Sequence, residues 1–323
     1  MEAKRYYSLD ALKFSCAICI VFIHFEILYT EYINFILRCA VPCFAMCSGF
    51  FFYKENNRYK TLQIIKKIAG IYVFATFVYA LWQYIQWRTL SPFVNRSSII
   101  NFIVWGNNPF AMHLWYLHCY IYALLIILIL EKYNRFKQVI YWMPLLLLPN
   151  FLLGSYSICF EPTKWQDCIY SRNAYFLILP YFSIGYILRN TLIKYKYKVK
   201  KNGLICIALI LSIVSYLDIT FACNGIINDL PITSALLSVV LFVMFLLMKM
   251  KQNTISTLGS KYSLNLYIYH PLLGGILSFI LLRLGVPGGI WITICMAVNI
   301  AFRGLFVDNI YFNAIYHNKS KII

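Results

Sequence analysis

The stretch from residue 11 to residue 29, ALKFSCAICIVFIHFEILY, decides the fold class of this chain. It is apolar over a length close to the roughly 20 residues that a helix needs to cross a bilayer. Its apolar residues form a continuous run rather than the alternation of a half-buried strand, so we predict a transmembrane helix. The run holds His24 and Glu26 and has no small-residue cleavage site, which argues against a cleavable signal peptide.

Comparable apolar runs recur along all 323 residues. Charged residues make up 12% of the chain, well below the roughly one quarter that is usual in soluble domains. Only helices and closed barrels satisfy their backbone groups in lipid. We therefore predict one all-α, polytopic membrane domain over residues 1–323, with about ten helices. They are placed at 11–29, 34–53, 68–87, 114–130, 138–153, 174–190, 203–222, 231–250, 264–283 and 289–307.

The Lys and Arg residues indicate the orientation, because cytoplasmic loops of membrane proteins are enriched in them. With the N-terminus inside, only six of the 29 fall on the outer side: Arg38, Arg88, Arg96, Lys164, Arg172 and Arg283. Both termini are therefore predicted to be cytoplasmic. The membrane is predicted to be the plasma (inner) membrane. This distribution explains the net charge of +18 without a nucleic-acid partner.

The eleven Cys residues show no metal-site spacing. Most lie in apolar runs, where Cys acts as a small hydrophobic residue. Cys159 and Cys168 share a polar loop and could form a disulfide if that loop faces an oxidising compartment. The sequence has no phosphate-binding Walker loop, no HExxH and no GxSxG, so we predict no metal site and no nucleotide-driven pump.

Ionisable residues within membrane helices are costly and mark functional sites by default. Lys13 and His24 are eleven residues apart, about 20° around a helix, so both project from one face while lying about 16 Å apart along it. Asp10 lies close to the same line. The structural alternatives are a Lys13 that extends to the inner headgroups and a His24 that is a packing residue.

Other polar residues fall at predicted helix ends. Arg38 begins the second helix, where it can pair with Glu26 or contact a ligand. His113, Trp115, Tyr116 and His118 open the fourth helix, and an aromatic belt accounts for Trp115 and Tyr116 but less well for two His. His270 precedes Pro271, which removes the helical partner of the Tyr267 carbonyl. A polar pocket and a simple packed kink both fit this site.

Residues 7–25, YSLDALKFSCAICIVFIHF, resemble the opening of the membrane acyltransferase family 3. That family typically has a Leu-Asp pair, then a basic residue, then ten further residues and a His. Here Leu9, Asp10, Lys13 and His24 match this pattern, with Lys where the family more often has Arg. The segment RCAVPCFAMCSGFFFYKEN is similar to the family's second helix through Arg38, Pro42, Phe44, Ser48 and Gly49.

Three later segments resemble the family in the expected order: HLWYL (113–117), PYFSIGYIL (180–188) and SLNLYIYHPLL (263–273). The resemblance implies an integral membrane O-acyltransferase of the stand-alone group. Such enzymes move an acyl group, often acetyl, from cytoplasmic acyl-CoA to a hydroxyl of a cell-surface polysaccharide or lipid-linked sugar. Acyl-CoA is then a co-substrate, and no tightly bound cofactor is expected.

The resemblance also implies roles for the residues singled out above. His24, Lys13 and Asp10 would be catalytic, with His24 as the general base or as a transient acyl carrier. Lys66 and Lys67 stand where the family often has an Arg pair, and with Lys13 they could hold the donor's phosphates. The other predicted substrate-binding residues are Arg38, Ser48, His113, Trp115, Tyr116 and His270. A transporter of a carbohydrate or lipid-linked precursor, and a scaffold subunit of a glycan-assembly complex, are the alternatives from other classes.

Overall fold

The computed structural model describes residues 5–25, 30–55, 57–90, 94–159, 170–195, 201–223 and 229–284. All regular structure in these ranges is helical, which confirms the all-α prediction. The α-helices are α1 (Tyr7–Phe25), α2 (Thr30–Leu37), α3 (Ala40–Glu55), α4 (Arg58–Trp87), α5 (Arg96–Trp105), α6 (Trp115–Lys132), α7 (Phe136–Val139), α8 (Leu147–Leu153), α9 (Leu179–Tyr195), α10 (Lys201–Leu217), α11 (Ile232–Leu247) and α12 (Thr254–Arg283). The predicted helix at 289–307 lies outside the described residues.

Five helical segments of the described part are long and apolar enough to cross a membrane: Tyr7–His24, Tyr32–Tyr53, Arg58–Trp87, Met112–Lys132 and Asn202–Ala222. Large apolar side chains project outward from two of them. Val73 and Phe77 on α4 are each 65% exposed, and Leu209 on α10 is 61% exposed. Such a surface suits lipid and not water. The protein is an integral membrane protein, while the number of ten spans stays a prediction.

Two helices begin ten residues earlier than predicted. α4 starts at Arg58 instead of 68, after Asn57, whose side chain accepts a hydrogen bond from the Tyr59 amide at 2.9 Å. α12 starts at Thr254 instead of 264, after Asn253, which caps the Ser256 amide at 2.8 Å. The predicted starts were wrong because hydropathy marks where a helix enters lipid, whereas capping residues mark where it begins.

Prolines interrupt two of the predicted helices. The second predicted helix is broken between α2 and α3, so Arg38 lies in the break rather than at a helix start. Pro42 explains the break, because its ring occupies the space that an ideal helix gives to the carbonyl of residue 38. The fifth predicted helix is divided into α7, a 3₁₀ turn at Met143–Leu146 and α8, with Pro144 in the turn and Pro149 in α8.

Helix α5 lies in a connection that the sequence analysis left without structure. Asn95 caps it by accepting a hydrogen bond from the Ser98 amide, and Gly106 ends it with a φ of 75°. Its ten residues are too few to span a bilayer, so a search for long apolar runs misses it. Ile103 is 59% exposed, yet its carbonyl accepts a hydrogen bond from the Tyr122 hydroxyl of α6.

Glycines allow two pairs of helices to approach until their backbones touch. A Cβ on Gly49 of α3 would lie 1.8 Å from the Phe182 carbonyl oxygen of α9, and one on Gly185 of α9 would lie 2.0 Å from the Met46 oxygen of α3. A Cβ on Gly259 of α12 would lie 1.7 Å from the Asp10 oxygen of α1. Small residues at such crossings are typical of helix packing in membranes.

The cysteines of α1, α3 and α6 lie largely in the core. Cys16, Cys39, Cys43, Cys47 and Cys119 are buried with free thiols, as the apolar interpretation predicts. In the loop pair, Cys159 is exposed and its thiol contacts the Ala222 carbonyl at 3.6 Å. Cys168 lies outside the described residues, so the disulfide stays a prediction.

Candidate active site

Three histidines from distant parts of the chain meet at one place in the bundle. His24 lies near the end of α1, His113 in the 3₁₀ turn Met112–Leu114 before α6, and His270 inside α12. The ring of His24 is centred 5.1 Å from that of His270 and 6.2 Å from that of His113. The rings of His113 and His270 are 5.4 Å apart. We call these residues the histidine cluster.

The longer α12 explains how His270 reaches this cluster. His270 lies about 24 Å along the helix when the distance is counted from Thr254. A helix that began at residue 264 would place it only about 9 Å along. The ring of His270 therefore lies beside that of His24, near the far end of α1.

Pro271 in α12 sets the orientation of the His270 ring. Residue 271 has no amide hydrogen for the Tyr267 carbonyl. The Nδ1 of His270 contacts that oxygen at 2.9 Å and the Leu266 oxygen at 2.9 Å. A carbonyl oxygen only accepts, so Nδ1 carries the hydrogen and Nε2 holds the lone pair of the neutral ring. The free carbonyl predicted from the sequence is satisfied by the adjacent histidine.

His113 is clamped to the same part of α12 by two hydrogen bonds. Its Nε2 donates to the Ile268 carbonyl at 2.9 Å. The Tyr267 hydroxyl in turn donates to the His113 carbonyl. By the same reasoning, Nε2 of His113 carries the hydrogen and Nδ1 is the acceptor when the ring is neutral.

Tyr79 of α4 completes the kink. Its hydroxyl donates to the Ile268 carbonyl at 2.8 Å and accepts from the Leu272 amide at 3.2 Å. These two backbone groups would pair with each other in an ideal helix. The hydroxyl therefore bridges the point where α12 bends.

We expect Tyr79→Phe to destabilise the protein by about 1–2 kcal/mol, because the buried Leu272 amide loses its hydroxyl partner. Ligand binding at the histidine cluster should weaken with it. Thermal unfolding of the purified protein in detergent measures the effect. Tyr84→Phe is the matched control, since Tyr84 lies on the same helix and is 50% exposed. Equal unfolding temperatures for both variants would contradict the bridging role.

A second network holds the loop that delivers His113. The Asn108 side chain accepts hydrogen bonds from the amides of Phe110 and Ala111 at 3.0 and 3.1 Å. Its amide nitrogen donates to the Tyr72 hydroxyl at 2.8 Å, and that hydroxyl lies 3.0 Å from Nδ1 of His118. His118, which the sequence grouped with His113, is thus a buried anchor away from the histidine cluster.

His24 opens onto a cavity of about 110 Å³. No hydrogen bond engages its ring within the described part of the chain, so the described structure leaves both nitrogens available to a ligand. Apolar, aromatic and charged side chains line it: Ile20, Ile23, His24, Leu37, Arg38, Val41, Pro42, His113, Trp115, Tyr116, Arg172, Leu177, Asp229, Leu230 and Tyr267. A cavity of this volume has room for a small polar ligand.

The cavity thus brings together His24, Arg38, His113, Trp115 and Tyr116 from the sequence-predicted set. His270 reaches it through its contact with His24. Ser48 is one step removed, with its hydroxyl bonded to the Phe44 carbonyl at 3.0 Å and next to the Tyr116 hydroxyl. The roles assigned to these residues remain predictions.

Two further charged residues line the cavity, Arg172 and Asp229, and the sequence pattern did not mark them as site residues. Arg172 forms an ion pair with Asp229 at 3.6 Å, and the Asn150 amide donates to the Asp229 carboxylate at 3.3 Å. Asp229 is only 4% exposed. One signal could have found it, because the chain has just eleven acidic residues and a buried carboxylate needs a partner.

The other predicted catalytic residues lie near the opposite end of α1. The Lys13 ammonium contacts the Asp10 carboxylate at 2.7 Å, and Arg5 reaches the same carboxylate at 3.2 Å. Lys66 and Lys67 are exposed on α4. No group of His, Cys, Asp or Glu suited to a metal ion occurs among the described residues. The site thus offers the accessible imidazole of His24 beside the oriented imidazoles of His113 and His270. Cationic and aromatic side chains line the adjoining cavity.

Comparison with known proteins gives one match. A family model described as an acyltransferase domain matches residues 6–303. No curated protein and no solved structure matches the chain. The match covers every element of the histidine cluster and the residues near the start of α1.

Proposed function

Because this chain belongs to the acyltransferase family whose model spans residues 6–303, we propose that it is a membrane O-acyltransferase. In this proposal it moves an acyl group, acetyl in the simplest case, from cytoplasmic acyl-CoA to a hydroxyl of a cell-surface polysaccharide or lipid-linked sugar. The observation that carries the proposal is the accessible His24 ring, which packs beside His113 and His270 at the wall of a cavity.

His24 suits the proton transfer that the reaction needs. A hydroxyl becomes a competent nucleophile when a base takes its proton, and imidazole is suited to this near neutral pH. The hydroxyl oxygen then attacks the thioester carbonyl carbon. The carbon–sulfur bond breaks, and the departing thiolate takes up the proton from His24. His113 and His270 act as positioning residues, because their hydrogen bonds to α12 hold the surfaces against which His24 packs.

The two ends of α1 suit the two ends of the donor. Lys13 and His24 are separated by about 16 Å of helical rise, a distance that an extended pantetheine arm can span. Phosphates held near Lys13 would leave the thioester within reach of His24. On the other side, Arg38, Arg172 and Trp115 supply charge and an aromatic surface to an acceptor in the cavity.

This arrangement requires a defined topology. Donor phosphates must reach Lys13 from the cytoplasm, so both chain termini and the segment near Lys201 should be cytoplasmic. We expect reporter fusions after Lys201 and at the C-terminus to read inside, and a fusion near Lys164 to read outside. An outside reading after Lys201 would contradict the orientation, since the largest basic cluster of the sequence lies there.

The decisive test follows labelled acetyl groups in membranes that contain the protein. Transfer of label from acetyl-CoA to surface glycan, absent without the protein, is the expected result. Chemical analysis of the glycans from cells with and without it identifies the acceptor. A transporter would leave the label on CoA and move its substrate unchanged, and that outcome would overturn the proposal.

A further inference from the structure

Arg189 of α9 is a buried cation with no carboxylate partner among the described residues. The residue is 7% exposed, and no acidic side chain contacts its guanidinium within the described part of the chain. One of its nitrogens donates to the Tyr6 hydroxyl, while Nε has no hydrogen-bond partner. Buried charges are normally paired, because removing them from water is costly. Such a residue points to an anion that is absent from the structure.

The nearby acid cannot serve as that anion. Asp10 is already held by Arg5 at 3.2 Å and by Lys13 at 2.7 Å. Among the described residues at this end of α1, three basic side chains therefore stand against one carboxylate, which leaves a positive formal charge. We call Arg5, Asp10, Lys13 and Arg189 the basic cluster.

Aromatic rings connect Arg189 with Lys13. The guanidinium lies 5.1 Å from the centre of the Tyr6 ring and 4.7 Å from that of Phe50. The Lys13 ammonium lies 5.3 Å from the centre of the Phe51 ring, which is 5.6 Å from that of Phe50. Both cations thus lie on one pair of adjacent phenylalanines, near enough to act on one polyanionic ligand.

We propose that Arg189 binds a phosphate group, and that this phosphate belongs to the acyl-CoA donor, with Lys13 beside it. The choice of donor rests on the proposed function. Arg suits this task because its planar guanidinium presents several donors to phosphate oxygens. The cation–π contacts hold the side chain in place before the ligand arrives, so little side-chain freedom is lost on binding.

The test uses the purified full-length protein in nanodiscs of phosphatidylcholine, with variants Arg189→Gln and Arg189→Lys. We expect Arg189→Gln to raise the Kd for coenzyme A by about 10- to 100-fold, because the variant loses a charge-assisted hydrogen bond to the phosphate. Arg189→Lys keeps the charge and should fall in between. S-acetylpantetheine, which has no phosphate, should act as a donor equally well with wild type and Arg189→Gln.

Unfolding temperatures without ligand separate binding from a structural role. If Arg189 awaits an anion, Arg189→Gln should unfold at the wild-type temperature or above, because it removes an uncompensated buried charge. A lower unfolding temperature with an unchanged Kd for coenzyme A would make Arg189 a packing residue and overturn the proposal. Arg135→Gln is the matched control, since Arg135 is exposed and its guanidinium bonds to the neighbouring Gln138 at 2.9 Å.

A lipid headgroup offers the same phosphate chemistry, so a second arm adds phosphatidylglycerol to the nanodiscs. If this lipid stabilises the wild type but not Arg189→Gln, and both bind coenzyme A equally well, the site belongs to a lipid headgroup. That result would overturn the donor assignment. Failure of the wild type to bind coenzyme A would instead remove the proposed function itself. An equal Kd in both proteins would overturn only the role of Arg189.

Discussion

Replacing His24 by glutamine should abolish acyl transfer while the protein remains folded and inserted. Glutamine keeps an approximate size and some hydrogen bonding but cannot accept and return a proton at neutral pH. A positioned base contributes about 10²- to 10⁴-fold to rate, and we expect a loss in that range. Transfer of labelled acetyl groups in membranes, normalised to inserted protein, measures it.

The matched control for His24→Gln is Ser15→Ala. Ser15 lies on the same helix, is exposed, and its hydroxyl donates to the Ala11 carbonyl of its own helix at 3.2 Å. It should keep wild-type activity. Variants His113→Gln and His270→Gln should lose less than His24→Gln, because a glutamine amide can still donate to the α12 carbonyls. Full activity in His24→Gln would remove this residue from the mechanism and favour transport.

Gly259→Ala should have the largest effect on stability, about 3 kcal/mol or more. Its new Cβ would lie 1.7 Å from the Asp10 carbonyl and 3.2 Å from Cβ of Phe14, so α1 and α12 must separate. The same two helices carry His24 and His270, whose rings are 5.1 Å apart. Loss of activity should therefore accompany the lower unfolding temperature.

Two other glycines provide controls for Gly259→Ala. On the same helix, a Cβ at Gly275 would meet only the Trp82 side chain at 3.8 Å, an ordinary contact. On α4, a Cβ at Gly70 would meet nothing within 4 Å, so Gly70→Ala should stabilise by about 0.5–1 kcal/mol through lower chain entropy. If Gly259→Ala unfolds at the same temperature as Gly275→Ala, the close approach of α1 and α12 is not a constraint.

Most helices could be located from the sequence because long apolar runs are strong signals in a membrane protein. The predicted 203–222 corresponds to α10 with the π-helical turn at Asp218–Ala222, and 114–130 to α6. Errors arose where polar residues continue a helix beyond its apolar part, as at the start of α12. They also arose where a short helix, α5, never crosses the bilayer.

The sequence by itself determined the fold class, the apolar segments, the common face of Lys13 and His24, and the backbone defect at Pro271. These follow from local rules, since helical periodicity and the missing proline amide depend only on residues close in the chain. It also supplied the resemblance that singled out His24 and Arg38.

Only the tertiary structure decided which of these residues meet. His113 bonds to Ile268 across 155 positions of sequence and Tyr79 bonds to it across 189. Arg189 lies on the rings of Tyr6, just before α1, and Phe50 of α3. Such contacts depend on how helices cross, and that is set by close packing at residues such as Gly49, Gly185 and Gly259 rather than by any periodic pattern.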